Sequence, residues 1–380
     1  PRPPAGRPPR DHPGYRAPVP VTAVDQFLAT FAPRDAVGAH ALHARRVLRG
    51  MGVAGEVYAD GIRPAPGARV RPLATYRPAA GGRPTRLLYH FSTGSVVGEF
   101  LRRRPEPLVL DHHNVTPARF AARWEPAVAA ELEVGACQLR RLAPGAELGL
   151  AVSGWNRAQL EEAGCRRTAV SPVLVDLDAG REEADGRLLD RLRRGGRDGS
   201  ADWLFVGRVV PHKCQHDVVR AFAAYRRLYD PHARLRLVGA AGSPYGAAVA
   251  ASVDRLGLGD AVALTGSVSG AALAAHYRAA DVLVCLSEHE GFCVPLLEAM
   301  AHDVPVVAFA AGAVPETVGD AAVVLAGKEP VAVAAAVQRV VADADLRRRL
   351  VAAGRRRVDE LALGRSARVF EDRMAELLAG

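Results

Sequence analysis

The sequence predicts an α/β protein made of two Rossmann-like domains that face each other across a cleft. Short apolar runs alternate with amphipathic helical segments on short loops, which is typical of parallel sheets. This alternation occurs twice along the chain, and residues 181–200 between the two runs are charged and lack aromatic side chains. With 380 residues, the chain is long enough for two domains of ordinary size.

The first run predicts a domain over residues 21–180. It opens with an apolar segment at 21–31 and a loop at 35–40, and Ser153 lies where a capping residue would begin the last helix. The predicted strands are 52–58, 86–91, 107–111, 148–152 and 168–175, and the predicted helices are 41–51, 125–142 and 157–163.

The second run predicts a domain over residues 201–362, after a connector at 181–200 that has a helical piece at 188–192. Its predicted strands are 203–206, 234–238, 261–265, 282–286, 305–308 and one that contains Val323 and Val324, while its predicted helices are 217–229, 247–256, 271–280, 295–301, 331–342 and 344–354.

The two ends of the chain carry separate predictions. Residues 1–20 are rich in Pro and Arg, cannot form a core and are expected to be a disordered tail. Residues 363–380 contain a last predicted helix at 365–378, which we expect to pack back on the first domain.

Composition and charge narrow the classes of ligand. The formal net charge is +9, which favours phosphorylated small molecules, anionic lipid or nucleic acid as partners. Aromatic residues make up only 6% and do not alternate with basic stretches, so no nucleic-acid partner is expected. The basic runs Arg102–Arg104 and Arg140–Arg141 would suit a peripheral contact with anionic lipid.

Cysteine usage and apolar run length predict the compartment. The five cysteines form no C-x-x-C pair, which is typical of a reducing compartment. No apolar run reaches the roughly 18–20 residues of a membrane span, and no signal-peptide pattern is present. We therefore expect a cytoplasmic protein whose basic runs could touch the inner face of the membrane.

The segment after the predicted strand 282–286 is the richest in chemistry. Open parallel sheets bind ligands beyond the carboxyl ends of their strands, and Glu290 and Glu298 both lie there. Gly291 allows the backbone to approach a ligand, and Pro295 suits the first turn of a helix whose N-terminus would attract a diphosphate. No G-x-G-x-x-G follows the first strand of either half, so a nicotinamide or flavin enzyme is not favoured.

The stretch from Glu290 to Glu298 resembles the E-x7-E motif of GT4-type retaining glycosyltransferases, the glycosyl transferases group 1 family. Four further blocks resemble that family and follow its order, namely 205–213, 235–242, 264–268 and 312–316. The resemblance implies the GT-B fold, in which a nucleotide-sugar domain and an acceptor domain face each other. The first half of the chain resembles the family less closely.

The resemblance implies roles on the donor side. Arg208 and Lys213 would hold the donor diphosphate and neutralise the leaving group. Glu298 would bind the ribose hydroxyls, whereas Glu290 would contact the transferred sugar. The remaining donor-binding residues would be Gly291, Phe292 and Cys293 through their backbone groups, and Ser267 and Val268 beside the base.

On the acceptor side, the resemblance implies that a histidine after strand 107–111 faces the sugar. We assign it to His113, with His112 as the alternative, and count His113 with Glu290, Arg208 and Lys213 as catalytic. Gly38 would lie under the sugar, although it is the only glycine of a turn that is usually Gly-rich. Gly94 could let the backbone approach an acceptor or could form a plain turn.

The predicted reaction is transfer of a sugar, with retention, from a UDP- or GDP-sugar to a glycan, lipid-linked or small-molecule acceptor. No cofactor is expected and a metal is not required, because cationic side chains can replace a divalent ion and no suitable Asp-x-Asp is present. The alternatives are a sugar-nucleotide epimerase or phosphorylase on the same fold, and a catalytically silent binding subunit. The presence of Arg208, Lys213, Glu290 and Glu298 disfavours the silent subunit.

Overall fold

The computed structural model describes residues 23–32, 35–63, 67–78, 84–178, 183–195 and 199–379. The predicted tail at 1–20 lies outside these residues. The described chain forms two sheets in which every strand pair is parallel, as the alternation of strands and helices predicted.

The N-terminal sheet has seven strands in the order β3-β2-β1-β4-β5-β6-β7. The strand order reverses direction between β1 and β4, where open sheets place their ligand crevice. The strands are β1 (Ala23–Phe31), β2 (Val57–Ile62), β3 (Arg71–Pro72), β4 (Thr85–Phe91), β5 (Leu108–His112), β6 (Leu148–Ala151) and β7 (Thr168–Val170), and the helices of this half are α1 (Ala36–Gly50), α2 (Val96–Arg102), α3 (Pro126–Leu142) and α4 (Gly154–Glu162).

The C-terminal sheet has six strands in the order β10-β9-β8-β11-β12-β13, and its direction reverses between β8 and β11. Its strands are β8 (Asp202–Val206), β9 (Arg234–Val238), β10 (Val262–Gly266), β11 (Val282–Cys285), β12 (Val306–Phe309) and β13 (Ala322–Leu325). The helices are α5 (Gly186–Arg194), α6 (Gln215–Leu228), α7 (Pro244–Arg255), α8 (Gly270–Arg278), α9 (Val294–Ala301), α10 (Val314–Val318), α11 (Pro330–Ala342), α12 (Ala344–Glu360) and α13 (Leu363–Leu378).

Buried apolar strand residues form the core of each half of the chain. Phe27, Leu87 and Tyr89 are fully buried in the N-terminal half, and Trp203 and Leu235 are fully buried in the C-terminal half. Their burial removes apolar surface from water, which is the main favourable contribution to folding. Within the described residues, no helix combines the length and the apolar character needed to cross a bilayer.

Helix α13 returns to the first half of the chain. Phe370, Met374 and Leu377 lie in one apolar cluster with Val24 of β1 and Leu48 of α1. The last helix therefore packs against the N-terminal sheet, and the polypeptide crosses between the two halves twice.

The predicted loop at 35–40 is wrong. Helix α1 begins at Ala36, and the Asp35 side chain caps it by accepting a hydrogen bond from the amide of Gly38 at 3.2 Å. Gly38 is a buried helical residue whose Cβ, if present, would lie 3.0 Å from the Phe31 ring. Glycine disfavours helix interiors, but here it allows close packing of the helix on the Phe31 ring.

Two predicted strands have different bounds. The strand expected at 52–58 begins only at Val57, because Gly52 lies in a turn with a φ of 79° and Gly55 has a φ of 151°, neither of which fits an extended strand. The strand expected at 168–175 ends at Val170, after which the chain leaves the sheet. The sequence also did not predict β3, α2 and α10, which are shorter than eight residues.

Gly94 follows β4 where the chain passes close to α3. A Cβ at Gly94 would lie 2.4 Å from the carbonyl oxygen of Glu131 and 2.5 Å from the amide nitrogen of Gly135. Gly94→Ala should lower the free energy of unfolding by about 1–3 kcal/mol in urea denaturation. Gly50→Ala is the matched control, since a Cβ there meets nothing within 4 Å. Equal effects of the two substitutions would contradict this packing role.

Candidate active site

The residues assigned from the sequence follow strands at or next to the two reversal points, except Ser267 and Val268, which follow the edge strand β10. Those of the second half follow β8, β10 and β11, and those of the first half follow β1, β4 and β5. The two groups of loops face each other, because the Glu290–Cys293 loop contacts the loop after β5. The topology therefore assembles one cleft from segments that are far apart in the sequence.

Lys213 and Glu290 come from the loops on the two sides of the C-terminal reversal point. The ammonium of Lys213 donates to both carboxylate oxygens of Glu290, at 2.6 and 2.7 Å. The Glu290 side chain is only 6% exposed and that of Lys213 is 19% exposed. Such a pair is screened little by water, so loss of either partner would leave the other as a costly buried charge.

The two charges stabilise each other. Burial raises the pKa of Glu290, but Lys213, together with Ser287 and His212, outweighs burial and leaves that pKa below its ordinary value. Burial likewise opposes the ammonium form of Lys213, and Glu290 outweighs it and raises the pKa of Lys213. Both groups are therefore charged at neutral pH. An anionic ligand that reached this point would find a fixed cation.

Arg208 begins the same loop as Lys213, directly after β8. Its side chain is exposed, and its backbone oxygen accepts a hydrogen bond from Nε2 of Gln215 at 2.8 Å. Gly207 has a φ of 148°, which a residue with a side chain rarely adopts. The backbone of this loop is thus fixed while the guanidinium remains accessible to a ligand.

Glu298 lies in the second turn of α9. The hydroxyl of the buried Tyr277 donates to Oε2 of Glu298 at 2.7 Å. Burial raises the pKa of Glu298, and the hydrogen bond from Tyr277 only partly opposes this effect. Unlike Glu290, Glu298 is oriented by a neutral hydroxyl and not by a cation.

The backbone between Glu290 and α9 is tightly held. Cys293 precedes the helix with a φ of 71°, an uncommon conformation for a residue with a side chain. The Thr317 hydroxyl donates to the carbonyl of Phe292 at 2.6 Å, and the amide of Ala313 donates to the carbonyl of Glu290 at 2.9 Å. This stretch is therefore a rigid wall of the cleft.

Ser267 and Val268 follow β10 at the edge of the C-terminal sheet. Gly266 turns the chain with a φ of 68°. Ser267 is exposed, whereas Val268 is half-buried against an apolar cluster. A half-buried apolar side chain beside an exposed hydroxyl is compatible with the base-binding role implied by the resemblance.

Gly291 meets the N-terminal half directly. A Cβ at Gly291 would lie 2.5 Å from Cβ of Asn114, so only glycine fits. Asn156 donates from Nδ2 to the carbonyl of Gly291 at 3.3 Å, and Nε2 of His289 bonds Oδ1 of Asn114 at 2.9 Å. The Glu290–Cys293 loop, which we call the donor loop after its predicted role, is thus in direct contact with the loop after β5.

Glu316 joins the two halves at a second point. Its carboxylate oxygens each accept a hydrogen bond from the amide of Gly154, both at 2.8 Å. Gly154 is the first residue of α4, where a negative charge is favourable, and Ser153 caps the same helix. Glu316 therefore caps a helix in the other half of the chain.

His113 lies in a buried cluster with His40, His90 and Asp111, which we call the Asp111 cluster. Nε2 of His113 lies 3.0 Å from Oδ2 of Asp111, and the His113 side chain is 4% exposed. His112 points elsewhere, since its Nε2 bonds Oε1 of Gln159 at 2.9 Å. The backbone of His113 lies beside the donor loop, since its carbonyl oxygen would lie 3.1 Å from a Cβ at Gly291.

The nitrogens and oxygens of the Asp111 cluster lie close enough together to resemble a metal site. The bonding of His40 argues against this reading. Its Nδ1 accepts a hydrogen bond from the amide of Leu174 at 2.9 Å. The proton of a neutral His40 must therefore be on Nε2, the atom that faces Asp111, and a protonated nitrogen cannot ligate a metal. The donor set fits a hydrogen-bonded carboxylate better.

Sequence reasoning missed Asp111, His40, His90 and Tyr277. The available signal was a polar residue inside an otherwise apolar buried strand, as for Asp111 and His90. It also missed Lys328, which donates to Asp217 at 2.7 Å and to Glu288 beside the Lys213 loop. These residues act through neighbours from distant segments, which local patterns do not reveal.

Buried neutral His112 should make the fold acid-sensitive. Burial lowers the pKa of His112 to about 4 from its ordinary 6.5, so the unfolded chain takes up the proton first as the pH falls. The stability that depends on neutral His112 is complete above pH 6.5 and is lost towards pH 4. From pH 7 to pH 5, this amounts to about 2 kcal/mol of unfolding free energy. Between pH 7 and pH 5, His112→Gln should lose about 2 kcal/mol less unfolding free energy than the unmodified protein, as measured by urea denaturation. Equal losses in the two proteins would contradict burial of His112 in its neutral form.

A comparison with sequence families finds one match in the second half. Residues 191–357 match the family described as glycosyl transferases group 1. This range contains all six strands of the C-terminal sheet and the residues Arg208, Lys213, Glu290 and Glu298.

Curated relatives match over part of their length. The chain is 39% identical over 201 residues to the D-inositol 3-phosphate glycosyltransferase of Geodermatophilus obscurus, over 50% of this chain and 43% of that protein. It is 32% identical over 234 residues to the GDP-mannose-dependent alpha-(1-6)-phosphatidylinositol monomannoside mannosyltransferase of Mycobacterium tuberculosis, over 59% of this chain and 60% of that protein. The matches thus span 43% and 60% of these relatives.

Among solved structures, the sucrose-phosphate synthase of Thermosynechococcus elongatus has a similar fold. It superposes with a TM-score of 0.73 and 20% sequence identity, over 94% of this chain and 99% of that one. Likeness at this level of identity concerns the fold and extends over both halves of the described chain.

Proposed function

The chain carries a glycosyl transferases group 1 domain on the GT-B fold that its sequence predicted, and from this premise we propose that it transfers a sugar from a nucleotide-sugar donor to an acceptor. The donor would be a UDP- or GDP-sugar bound in the C-terminal half. The acceptor would bind between the loops of the N-terminal sheet and the donor loop.

The observation that supports this proposal most strongly is the buried ion pair between Lys213 and Glu290 at the reversal point of the C-terminal sheet. A diphosphate leaving group gains negative charge as the glycosidic bond breaks, and a preorganised cation in a dry cleft stabilises that charge. Arg208 is accessible at the start of the same loop and can add a bidentate phosphate contact.

We propose retention of the anomeric configuration through a same-face, dissociative substitution. A double displacement needs two carboxylates on either side of the bond. In the described cleft, Glu290 is paired with Lys213 and Glu298 is oriented by Tyr277 for the ribose. Charge stabilisation and positioning would then supply most of the rate. With Arg208 and Lys213 at the diphosphate, a divalent metal would not be required.

The names of the two curated relatives mention inositol 3-phosphate and a phosphatidylinositol monomannoside. By analogy, we propose a small-molecule or lipid-linked polyol as the acceptor, within the wider class of glycan, lipid and small-molecule acceptors. The epimerase, phosphorylase and silent-subunit alternatives are less favoured, because these relatives are named as transferases and the four charged donor residues are present.

The expected cytoplasmic location and peripheral membrane contact stay predictions. Arg102 pairs with Glu99 at 3.1 Å, and Arg104 pairs with Glu106. Two of the three charges in this run are therefore partly offset by neighbouring acids. If Arg102–Arg104 bind anionic lipid, neutralising all three should weaken binding to anionic vesicles, and unchanged binding would contradict this role.

A thermal-shift panel of UDP, GDP, ADP and their sugars tests the proposed donor site. At a concentration 100 times the dissociation constant, the correct nucleotide should add about 2.7 kcal/mol of stability. Adenosine without phosphate is the matched control for binding at the base alone. The absence of any shift with all nucleotides would contradict the proposed function.

A further inference from the structure

The Asp111 cluster collects three imidazoles around one carboxylate oxygen. Oδ2 of Asp111 lies 3.0 Å from Nε2 of His40, 2.9 Å from Nδ1 of His90 and 3.0 Å from Nε2 of His113. Asp111, His40 and His90 are fully buried. A buried carboxylate is stable only if donors surround it, so the protonation of each histidine determines what the cluster does.

The proton of His40 is fixed by the backbone. The amide of Leu174 can only donate, and it donates to Nδ1 of His40 at 2.9 Å. The proton of His40 is therefore on Nε2, which faces Asp111. The angle at this contact is poor for a hydrogen bond although the distance is 3.0 Å, so its contribution is mainly electrostatic.

The proton of His90 is fixed by Gln26. One orientation of the Gln26 amide satisfies its neighbours: its NH2 group donates to Nε2 of His90 at 2.8 Å and to the carbonyl of Ala41 at 3.1 Å, and its oxygen accepts from the amide of Arg45 at 3.2 Å. Nε2 of His90 is then an acceptor, so its proton is on Nδ1 and is donated to Asp111.

The carboxylate of Asp111 determines which nitrogen of His113 carries the proton. An ionised carboxylate can only accept hydrogen bonds, so Nε2 of His113 at 3.0 Å must carry a proton. The hydrogen bonds of the His113 ring to the described residues all use Nε2, so Nδ1 is left for another partner. In a neutral His113, this Nδ1 is a hydrogen-bond acceptor.

His113 lies at the contact between the two halves. The carbonyl oxygen of His113 and Cβ of Asn114 would lie 3.1 and 2.5 Å from a Cβ at Gly291. The donor loop therefore meets the backbone of His113 at Gly291. A sugar held between these loops would present its hydroxyls to both.

We propose that Asp111 is a positioning residue, which keeps the proton of His113 on Nε2 and so offers Nδ1 as an acceptor to a hydroxyl of the transferred sugar. His40 and His90 face the same oxygen of Asp111 and hold it in place. This role rests on the proposed function, since it gives one residue of that site a defined protonation. Asp111 itself would not touch the sugar.

Nitrogen-15 NMR of histidine-labelled, full-length protein measures the protonation directly. We expect His113 to carry its proton on Nε2, with its signals assigned by their loss in His113→Gln. A proton found on Nδ1 of His113 in the unmodified protein would overturn the proposal without any Asp111 variant. This measurement needs neither donor nor acceptor, so it also stands if the proposed function fails.

Two Asp111 variants test the consequence for the reaction. Asp111→Asn keeps an acceptor oxygen and should retain most of the Nε2 protonation, whereas Asp111→Ala removes it and should give a mixture of the two His113 tautomers. We expect kcat to fall by about 10- to 100-fold in Asp111→Ala and by less in Asp111→Asn, with nucleotide affinity unchanged. If Asp111→Ala does not fold, Asp111→Asn and the NMR measurement still decide.

Asp202→Asn is the matched control for loss of a buried carboxylate. Asp202 starts β8, at the end of the C-terminal sheet away from the cleft, and accepts hydrogen bonds from Arg234 and Arg236. It should lose stability without a change in kcat or in the His113 tautomer. Unchanged kcat and tautomer in Asp111→Ala would overturn the proposal. An inactive parent protein with Nε2-protonated His113 would instead point to failure of the proposed function.

Discussion

Lys213→Ala should lower kcat by about 10²–10³-fold, the usual cost of removing one preorganised charge from a developing anion. The reason is the position of Lys213, whose ammonium is held by Glu290 at 2.6 and 2.7 Å in a nearly dry cleft. The rate is measured as release of nucleoside diphosphate at saturating donor. Nucleotide affinity should fall less than kcat, because charge on the leaving group grows towards the transition state.

The single variant also leaves Glu290 as an unpaired buried charge, which should cost about 3–5 kcal/mol of stability. Lys213→Ala combined with Glu290→Gln separates the two effects. The double variant should regain much of the unfolding free energy, because no buried charge is left alone, but it should stay slow. Recovery of the rate together with stability would contradict a catalytic role for Lys213.

Glu298→Ala should weaken nucleoside diphosphate binding by about 1.5–3 kcal/mol, the range for hydrogen bonds to a charged group. The dissociation constant from calorimetric titration should therefore rise about 10- to 150-fold. Tyr277→Phe is the graded control, since it removes the hydroxyl that orients Oε2 of Glu298 but keeps the carboxylate. Its loss of affinity should be smaller.

Stability should respond in the opposite direction at Glu298. Burial raises the pKa of Glu298, which means that the folded protein disfavours its ionised form at neutral pH. Glu298→Gln should therefore keep or increase the free energy of unfolding while it weakens nucleotide binding. A loss of stability that matches the loss of binding would indicate a structural role instead.

The sequence could predict the strand and helix around the proposed donor-site residues because their pattern is local. Glu290, Gly291 and Glu298 lie on one strand, loop and helix, and the structure confirms strand β11 and helix α9 around them. Ser153 was likewise predicted as a cap from its own neighbours, and it accepts from the amide of Asn156 at 3.2 Å. Short-range patterns of this kind depend on little besides backbone geometry.

The side-chain contacts on the acceptor side could not be predicted from local sequence patterns. Its central carboxylate, Asp111, is surrounded by side chains from β4, α1 and the loop after β5, and the proton of His40 is fixed by Leu174, which is 134 residues away. Glu316 caps a helix that begins 162 residues earlier. The periodicity of the sequence does not reveal such pairings, because they form only when the two sheets and the segments that connect them have packed.

The most direct test of the account is turnover of a panel of UDP-, GDP- and ADP-sugars by the full chain, with and without a polyol acceptor, in parallel with Lys213→Ala. We expect that at least one donor releases nucleoside diphosphate, that the acceptor accelerates this release, and that Lys213→Ala slows it at least about 100-fold. Release by Lys213→Ala at the rate of the unmodified protein, or no release from any donor, would contradict this expectation.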